Sequence, residues 1–210
     1  LMAELVINGS KGDSWAITAD ADGSVSLCEK EIKGATTYDV DVKFEGYIGT
    51  GDRFATVGMT ESTTFAREYF LKEVVLDQEY QMPLVLYAFN EAELLVNNEV
   101  NGTDSLEYLL DIMQRNETYV IQLESHTDSR GNDAYNKELS QRRAQTCVDY
   151  LIEAGIDRER LIAVGRGEGM LLVADAEINR METEEEKERA HQANRRTVFR
   201  IMRFDYVPGE

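Results

Sequence analysis

Apolar and polar positions follow two different rhythms along this chain. From Leu1 to about Met82 they form short runs of period two broken by turn residues: Ala3-Glu4-Leu5-Val6-Ile7 ends at Asn8-Gly9, and Trp15-Ala16-Ile17-Thr18 ends at Asp22-Gly23. Ser24-Val25-Ser26-Leu27 and Tyr38-Asp39-Val40-Asp41-Val42 repeat the alternation. Such runs predict half-buried strands, and Asp-Gly between two of them favours a tight hairpin because both residues tolerate positive φ. Residues 1–82 therefore read as a small all-β antiparallel sandwich. A calcium loop is the competing reading of the same stretch. Counted from Thr18, residues Asp20, Asp22, Gly23 and Glu29 fall on ligand-loop positions, but the first position is Thr and the flanks pattern as strands, which favours the hairpin. Leu1 lies inside a predicted strand, so the chain reads as a fragment.

After Met82-Pro83 the period lengthens. Leu84–Phe89 reads as a strand, and Leu106, Leu109, Leu110 and Met113 mark one buried stripe of a helix over 105–116 that Asp104 can cap. Tyr119–Leu123 is a second strand. A long helix opens at Asp133, turns Ala144, Cys147, Val148, Leu151 and Ile152 inward, and stops at Gly155. Arg160–Val164 and Thr197–Met202 complete a βαβαβ order with a late terminal strand. That order predicts an α/β sandwich over 83–210, with helices on one face of a mixed sheet. Residues 169–193 interrupt it as an acidic insertion, where Thr183-Glu184-Glu185-Glu186 matches a capping box and a solvated helix follows.

Charge narrows the choice of partner. The chain has 40 acidic and 22 basic side chains, a formal net charge of −18, and the excess is spread over both halves. Such a field repels nucleic acid and anionic lipid, and no basic stripe relieves it. No window approaches the ~18 uninterrupted apolar residues of a membrane span, and no secretion signal opens the chain. Cys28 and Cys147 fall in separate predicted domains, so both are expected to pack as small apolar side chains, with no disulfide.

Candidate chemistry concentrates in Ser125–Ala144. Asp128 sits at a strand-to-helix turn and Arg143 follows on the helix, with Asn136 and Ser140 on the same face at i+4 spacing. A carboxylate and a guanidinium so placed can grip a ligand bearing an amine and a carboxylate on one carbon. Blander readings compete: Asp128 capping the turn or pairing with Arg130, and Arg195 and Arg196 as ordinary strand-edge charges. His126, Asp128 and Ser140 have the residue types of a hydrolase triad, yet no nucleophile elbow accompanies them. His191 is solitary and no H-E-x-x-H or C-x-x-C occurs, so neither a zinc site nor any cofactor is expected. Gly165-Arg166-Gly167-Glu168-Gly169 reads as a turn rather than a phosphate loop.

Five motifs occur in order: H-T-D-S-R-G (126–131), Y-N-x-x-L-S-x-x-R-A (135–144), G-I-D-x-x-R-L (155–161), G-x-G-E (165–168) and N-R-R-T-V-F (194–199). Together they resemble the C-terminal domain of the outer membrane protein A family, shared with Pal lipoproteins and MotB, across residues 84–204. The resemblance implies a non-enzymatic protein that binds peptidoglycan without a covalent bond, through the meso-diaminopimelate of its stem peptide. The positions matching that groove are Thr127, Asp128, Asn136, Leu139, Arg143 and Arg196. It also implies a periplasmic place, associated with an outer membrane assembly that the domain anchors to the wall. T-x-A-D-G-S-x-S-L, Tyr38-Asp39-Val40 and F-E-G-Y resemble the carboxypeptidase regulatory-like β-sandwich, with its first strand missing. A spacer or docking role is implied there, and the tandem is associated with Bacteroidetes envelope proteins. Two features depart from the family pattern: Ser125 replaces the usual glycine, and the loop after G-x-G-E is long and acidic. A fold kept only for protein–protein interaction, or a peptidoglycan hydrolase, are the alternatives.

Overall fold

The computed structural model describes residues 2–28, 30–82, 85, 87, 91–94 and 103–209, and the chain divides into two units between Val74 and Val75. The expected boundary at 82/83 thus moves toward the N-terminus. The reason is the short strand β7 (Glu79–Gln81), which pairs with the last strand of the chain instead of with the first unit.

The first unit is all-β and antiparallel. β1 (Glu4–Gly9), β2 (Ser14–Thr18), β3 (Thr37–Lys43) and β5 (Thr50–Ala55) form one sheet in the order β2-β1-β3-β5. β4 (Tyr47–Ile48) and β6 (Lys72–Glu73) make a separate two-stranded pair. Period-two burial is clearest in β3, where Tyr38, Val40 and Val42 are buried and alternate with Asp39 and Asp41. With Ile7 these make the core, and Leu27, Ile32, Tyr69 and Leu71 from strand-free segments pack against it. Irregular chain therefore does much of the covering expected of a second sheet. An open cavity of about 680 Å³ lies in this unit, lined among others by Ile7, Val40, Phe54 and Phe65.

The Asp22-Gly23 turn is present, with Gly23 at φ +83° and its N–H donating to the Asp20 carbonyl. Ser24–Leu27 does not continue as a strand, so no hairpin follows. Cys28 is exposed, contrary to expectation, and its thiol and backbone N–H donate to the Glu31 carboxylate; Cys147 is buried.

The second unit runs β7, α1 (Asp104–Arg115), β8 (Val120–His126), α2 (Asp133–Glu153), a 3-10 turn (Arg158–Arg160), β9 (Leu161–Gly167), α3 (Asp175–Ile178), α4 (Glu184–Asn194) and β10 (Thr197–Arg203). Its sheet has the order β7-β10-β8-β9; β10 is antiparallel to both neighbours and β8 is parallel to β9, so the sheet is mixed as expected. The predicted strand Leu84–Phe89 lies outside the described residues apart from Val85 and Tyr87. Thr103, not Asp104, occupies the cap position of α1, and Asp104 instead adds negative charge to its first turn.

Alternation along β8 separates the two faces of the sheet. Ile121, Leu123 and Ser125 lie opposite Ile201, Phe199 and Thr197 of β10 and are buried. Gln122, Glu124 and His126 project to the other face. There the fully buried Glu124 accepts from Arg166 (2.6 Å), Arg200 (3.0 Å) and Gln122 (2.5 Å). Aliphatic arginine stems cover a carboxylate while their heads neutralise it.

The motif at 155–161 acts at a helix end. Gly155 stops α2 at φ +98°, and Asp157 caps the 3-10 turn through Glu159 N–H. Arg160, itself buried, donates to the carbonyls of Met113, Asn116 and Tyr119, at and just beyond the C-terminus of α1. Carbonyls left over at a helix end are satisfied by one guanidinium fork.

Candidate functional site

The stripe that α2 buries runs 136, 139, 140, 143, 144, 147, 148 and 151, the three-and-four spacing of a single helix face. Its C-terminal half is the apolar set expected from the sequence except Ile152, which is only half-buried. Its N-terminal half substitutes Asn136, Ser140 and Arg143 around Leu139, so one packed face changes from core to chemistry as it nears β8. Asn132 starts the helix by accepting from Ala134 and Tyr135 N–H.

Two glycines let this face approach the sheet. A Cβ on Gly165 would stand 2.2 Å from Gln141 N and 2.6 Å from its Cα. Gly167, at φ +60°, would meet Lys137 N at 3.2 Å. The glycine-rich stretch therefore belongs to the end of β9, and only Gly169 lies in the turn beyond it. In the contact, Ser140 Oγ accepts from Gly167 N–H at 2.8 Å, and the Gln141 amide bonds Gly165 N–H and the Ala163 carbonyl. Gln141 thereby serves backbone groups on the edge strand of the sheet.

Thr127 and Asp128 leave β8 beside this contact. Thr127 N–H donates to the Gly167 carbonyl, while its buried hydroxyl has no partner among the described residues. Asn136 Nδ2 holds the turn through the carbonyls of Asp128 (3.2 Å) and Arg130 (3.3 Å) and the Glu168 carboxylate (2.6 Å). Gly131 completes the turn at φ +113°.

Asp128 is buried and already paired. Its Oδ2 accepts from Arg130 Nη2 (2.7 Å), Arg130 Nε (3.1 Å) and Arg195 Nη1, while among the described residues Oδ1 accepts Arg130 N–H alone, at 3.1 Å. Burial pushes the carboxyl pKa up, but the bonds from Arg130 and Arg195 more than offset it and hold it below the ordinary value. The pairing of Asp128 with Arg130 is thus present, and Oδ1 retains acceptor capacity.

Arg143 is also buried. Its Nε donates to the Glu91 carbonyl at 2.9 Å, and its guanidinium lies 4.7 Å from the centre of the Tyr87 ring. Burial lowers its pKa, and Asp128 is among the opposite charges acting on it. The Tyr87 hydroxyl bonds Cys147 Sγ (3.2 Å) and Thr197 Oγ1 (3.0 Å), and Thr197 bonds Ser125 at 3.0 Å. Burial pushes the Cys147 thiol up to about 11 and the Tyr87 phenol well above its usual range, so this chain of hydroxyls and thiol is neutral. Ser125, where the family pattern has glycine, is one of its links.

The structure therefore places Thr127 and Asp128 at one turn and Asn136, Leu139 and Arg143 on the adjoining helix face, with Asn136 bonded to the turn. Arg196 points elsewhere: it pairs with Glu79 at 3.5 Å and donates to the Met170 carbonyl. The neighbouring Arg195 is the one that reaches Asp128. Glu188 also belongs to the site, bonding Arg130 Nη1 at 2.8 Å and Arg195 Nη2 at 2.7 Å. In the sequence Arg195 stands out only by its place in N-R-R, and Glu188 carries no signal beyond its charged helix.

His126, Asp128 and Ser140 do not form a relay. Neither ring nitrogen of His126 has a hydrogen-bond partner among the described residues, and Ser140 bonds Lys137 and Gly167. Ligand atoms of Glu79, Glu124 and His126 lie within 4.8 Å of one another. Arg166, Arg196 and Arg200 already pair with those two carboxylates, so local positive charge opposes a cation there. No described helix is long and apolar enough to cross a membrane.

Comparison with known proteins gives the site a setting. The OmpA family model matches residues 86–185. Outer membrane protein A of Escherichia fergusonii is 42% identical over 84 residues, which are 40% of this chain and 34% of that protein. The chain thus matches only about a third of that relative's length. Among solved structures, a MotB-like protein from Desulfovibrio vulgaris is 27% identical with a TM-score of 0.44, covering 60% of this chain and 72% of its own. The peptidoglycan-associated lipoprotein of Burkholderia pseudomallei is 20% identical with a TM-score of 0.42, covering 56% and 86%. Residues 86–185 of this chain are an OmpA family domain.

Proposed function

We propose that the C-terminal unit binds peptidoglycan non-covalently through the meso-diaminopimelate of its stem peptide, and so anchors an outer-membrane-associated assembly to the wall from the periplasm. The observation that carries this reading is the pair of buried, opposite charges on one turn and the helix after it: Asp128 with spare acceptor capacity on Oδ1, and Arg143 held by the Glu91 carbonyl and the Tyr87 ring. The far end of diaminopimelate carries one ammonium and one carboxylate. In this reading the ammonium donates to Asp128 and the carboxylate takes the guanidinium fork of Arg143. Thr127 contributes its unpartnered hydroxyl, Asn136 keeps the turn in shape, and Leu139 supports the helix face. Arg196 is assigned to the charge pairs of the sheet rather than to the ligand. The N-terminal unit, read as a carboxypeptidase regulatory-like domain, serves as spacer or docking module.

Sedimentation with purified sacculi tests the reading. Wild type is expected to co-sediment, and Asp128→Ala and Arg143→Ala to lose about tenfold or more in apparent affinity, because each removes a charge-assisted contact. Equal sedimentation of all three would defeat it.

A further inference from the structure

The acidic insertion reaches the charged groups of the site through Glu188. Arg130 and Arg195 each bridge Asp128 and Glu188, closing a ring in which negative and positive groups alternate. Glu188 is not there by chance of a mobile surface chain, because α4 is fixed at both ends. Thr183 and Glu186 form a complete capping box at its start. Asn194, fully buried at its end, accepts from Leu172 and Val173 N–H and donates to the Val173 carbonyl. A second tie joins the turn to the insertion, from Ser129 Oγ to the Asp175 carboxylate.

We infer that Glu188 is a specificity-determining residue that sets the site's preference for a zwitterion over a bare carboxylate. The inference rests on the proposed reading of Asp128 and Arg143 and deepens it. Asp128, Glu188, Arg130 and Arg195 sum to zero charge, which leaves Arg143, bonded to no carboxylate among the described residues, as the cation for a ligand carboxylate and Asp128 Oδ1 as an acceptor for an ammonium. Without the Glu188 carboxylate the cluster carries one net positive charge beside Arg143. Two guanidiniums then share one carboxylate, an incoming ammonium is repelled, and a ligand carboxylate finds additional donors. Glu188 is half-exposed, so its influence is screened and moderate.

The experiment is calorimetric titration of the 210-residue chain at low salt with meso-diaminopimelate and with pimelate, the same carbon chain without amines. The ratio of the two affinities is the readout, since a merely structural role would weaken both alike. Glu188→Gln is expected to lower the diaminopimelate-to-pimelate ratio about three- to fivefold, the scale of an exposed ion pair, and Glu188→Asp to restore most of it. An unchanged ratio in Glu188→Gln overturns this inference while the zwitterion reading survives. Failure of the wild type to bind diaminopimelate overturns both.

Discussion

At the scale of single residues, the most consequential groups are polar side chains placed where apolar ones would pack. His126 has a fully buried side chain, and burial, reinforced by the Arg196 charge, lowers its pKa from 6.5 to about 4 despite Glu79 and Glu124 nearby. The folded protein therefore keeps the neutral ring at a pH where the unfolded chain has already taken a proton. Stability from this source is complete above pH 6.5 and is lost as pH falls from 6.5 toward 4, by roughly 3 kcal/mol. Glu124 extends the loss below pH 4.5: burial raises its pKa, but Arg166 and Gln122 override this and bring it to about 2. Urea denaturation at pH 7 and pH 4.5 checks the account. His126→Leu is expected to flatten most of the difference in midpoint, and an undiminished difference would show that other groups cause it. None of this was visible in the motif H-T-D, because a motif names residue types and not the dielectric around them.

At the scale of elements, the contact between α2 and β9 decides whether the site exists, since it positions Asn136 and Arg143 against the turn that carries Asp128. Gly165→Ala places a methyl group 2.2 Å from a backbone nitrogen of α2, and no side-chain rotation relieves that clash. Overpacking of this kind costs about 1–3 kcal/mol or more, so thermal denaturation is expected to show a lowered midpoint. A midpoint equal to wild type would mean the helix is not seated as described. Helices and strands here were legible from periodicity: the stripe Ala144, Cys147, Val148 and Leu151 is buried as the pattern requires. The same stripe was legible only in part, because hydrophobic periodicity is blind to Asn136, Ser140 and Arg143. They were legible instead from helical spacing applied to polar residues, which puts all three on the face that the structure buries. The glycines escaped for a different reason: close approach between a helix and a strand is a tertiary fact, and locally the G-x-G pattern looks like a turn.

For the whole molecule, charge governs how binding responds to the medium. The chain carries a formal net charge of −18, and the wall is also anionic, so their long-range interaction is repulsive and attraction must come from short-range groups. Sacculus binding is accordingly expected to hold steady or rise as salt is raised toward physiological strength; a steep fall would indicate counterion-driven attachment through a basic surface. The division into two units was read from the sequence by its change of rhythm, yet its position was misplaced because β7 is only three residues long and pairs across the chain with β10. The acidic insertion was recognised as a segment, but its tie to Asp128 through Glu188 depends on a contact 58 residues from Arg130 that no local pattern announces. Convergence of Asp128 and Arg143 on one zwitterionic end group can be measured by NMR titration with two tripeptides, L-Ala-γ-D-Glu-meso-diaminopimelate and L-Ala-γ-D-Glu-L-Lys, the second of which lacks the side-chain carboxylate. Wild type is expected to bind the first at least about tenfold more tightly, and Arg143→Ala to erase the difference. Equal affinity of wild type for both peptides would contradict it.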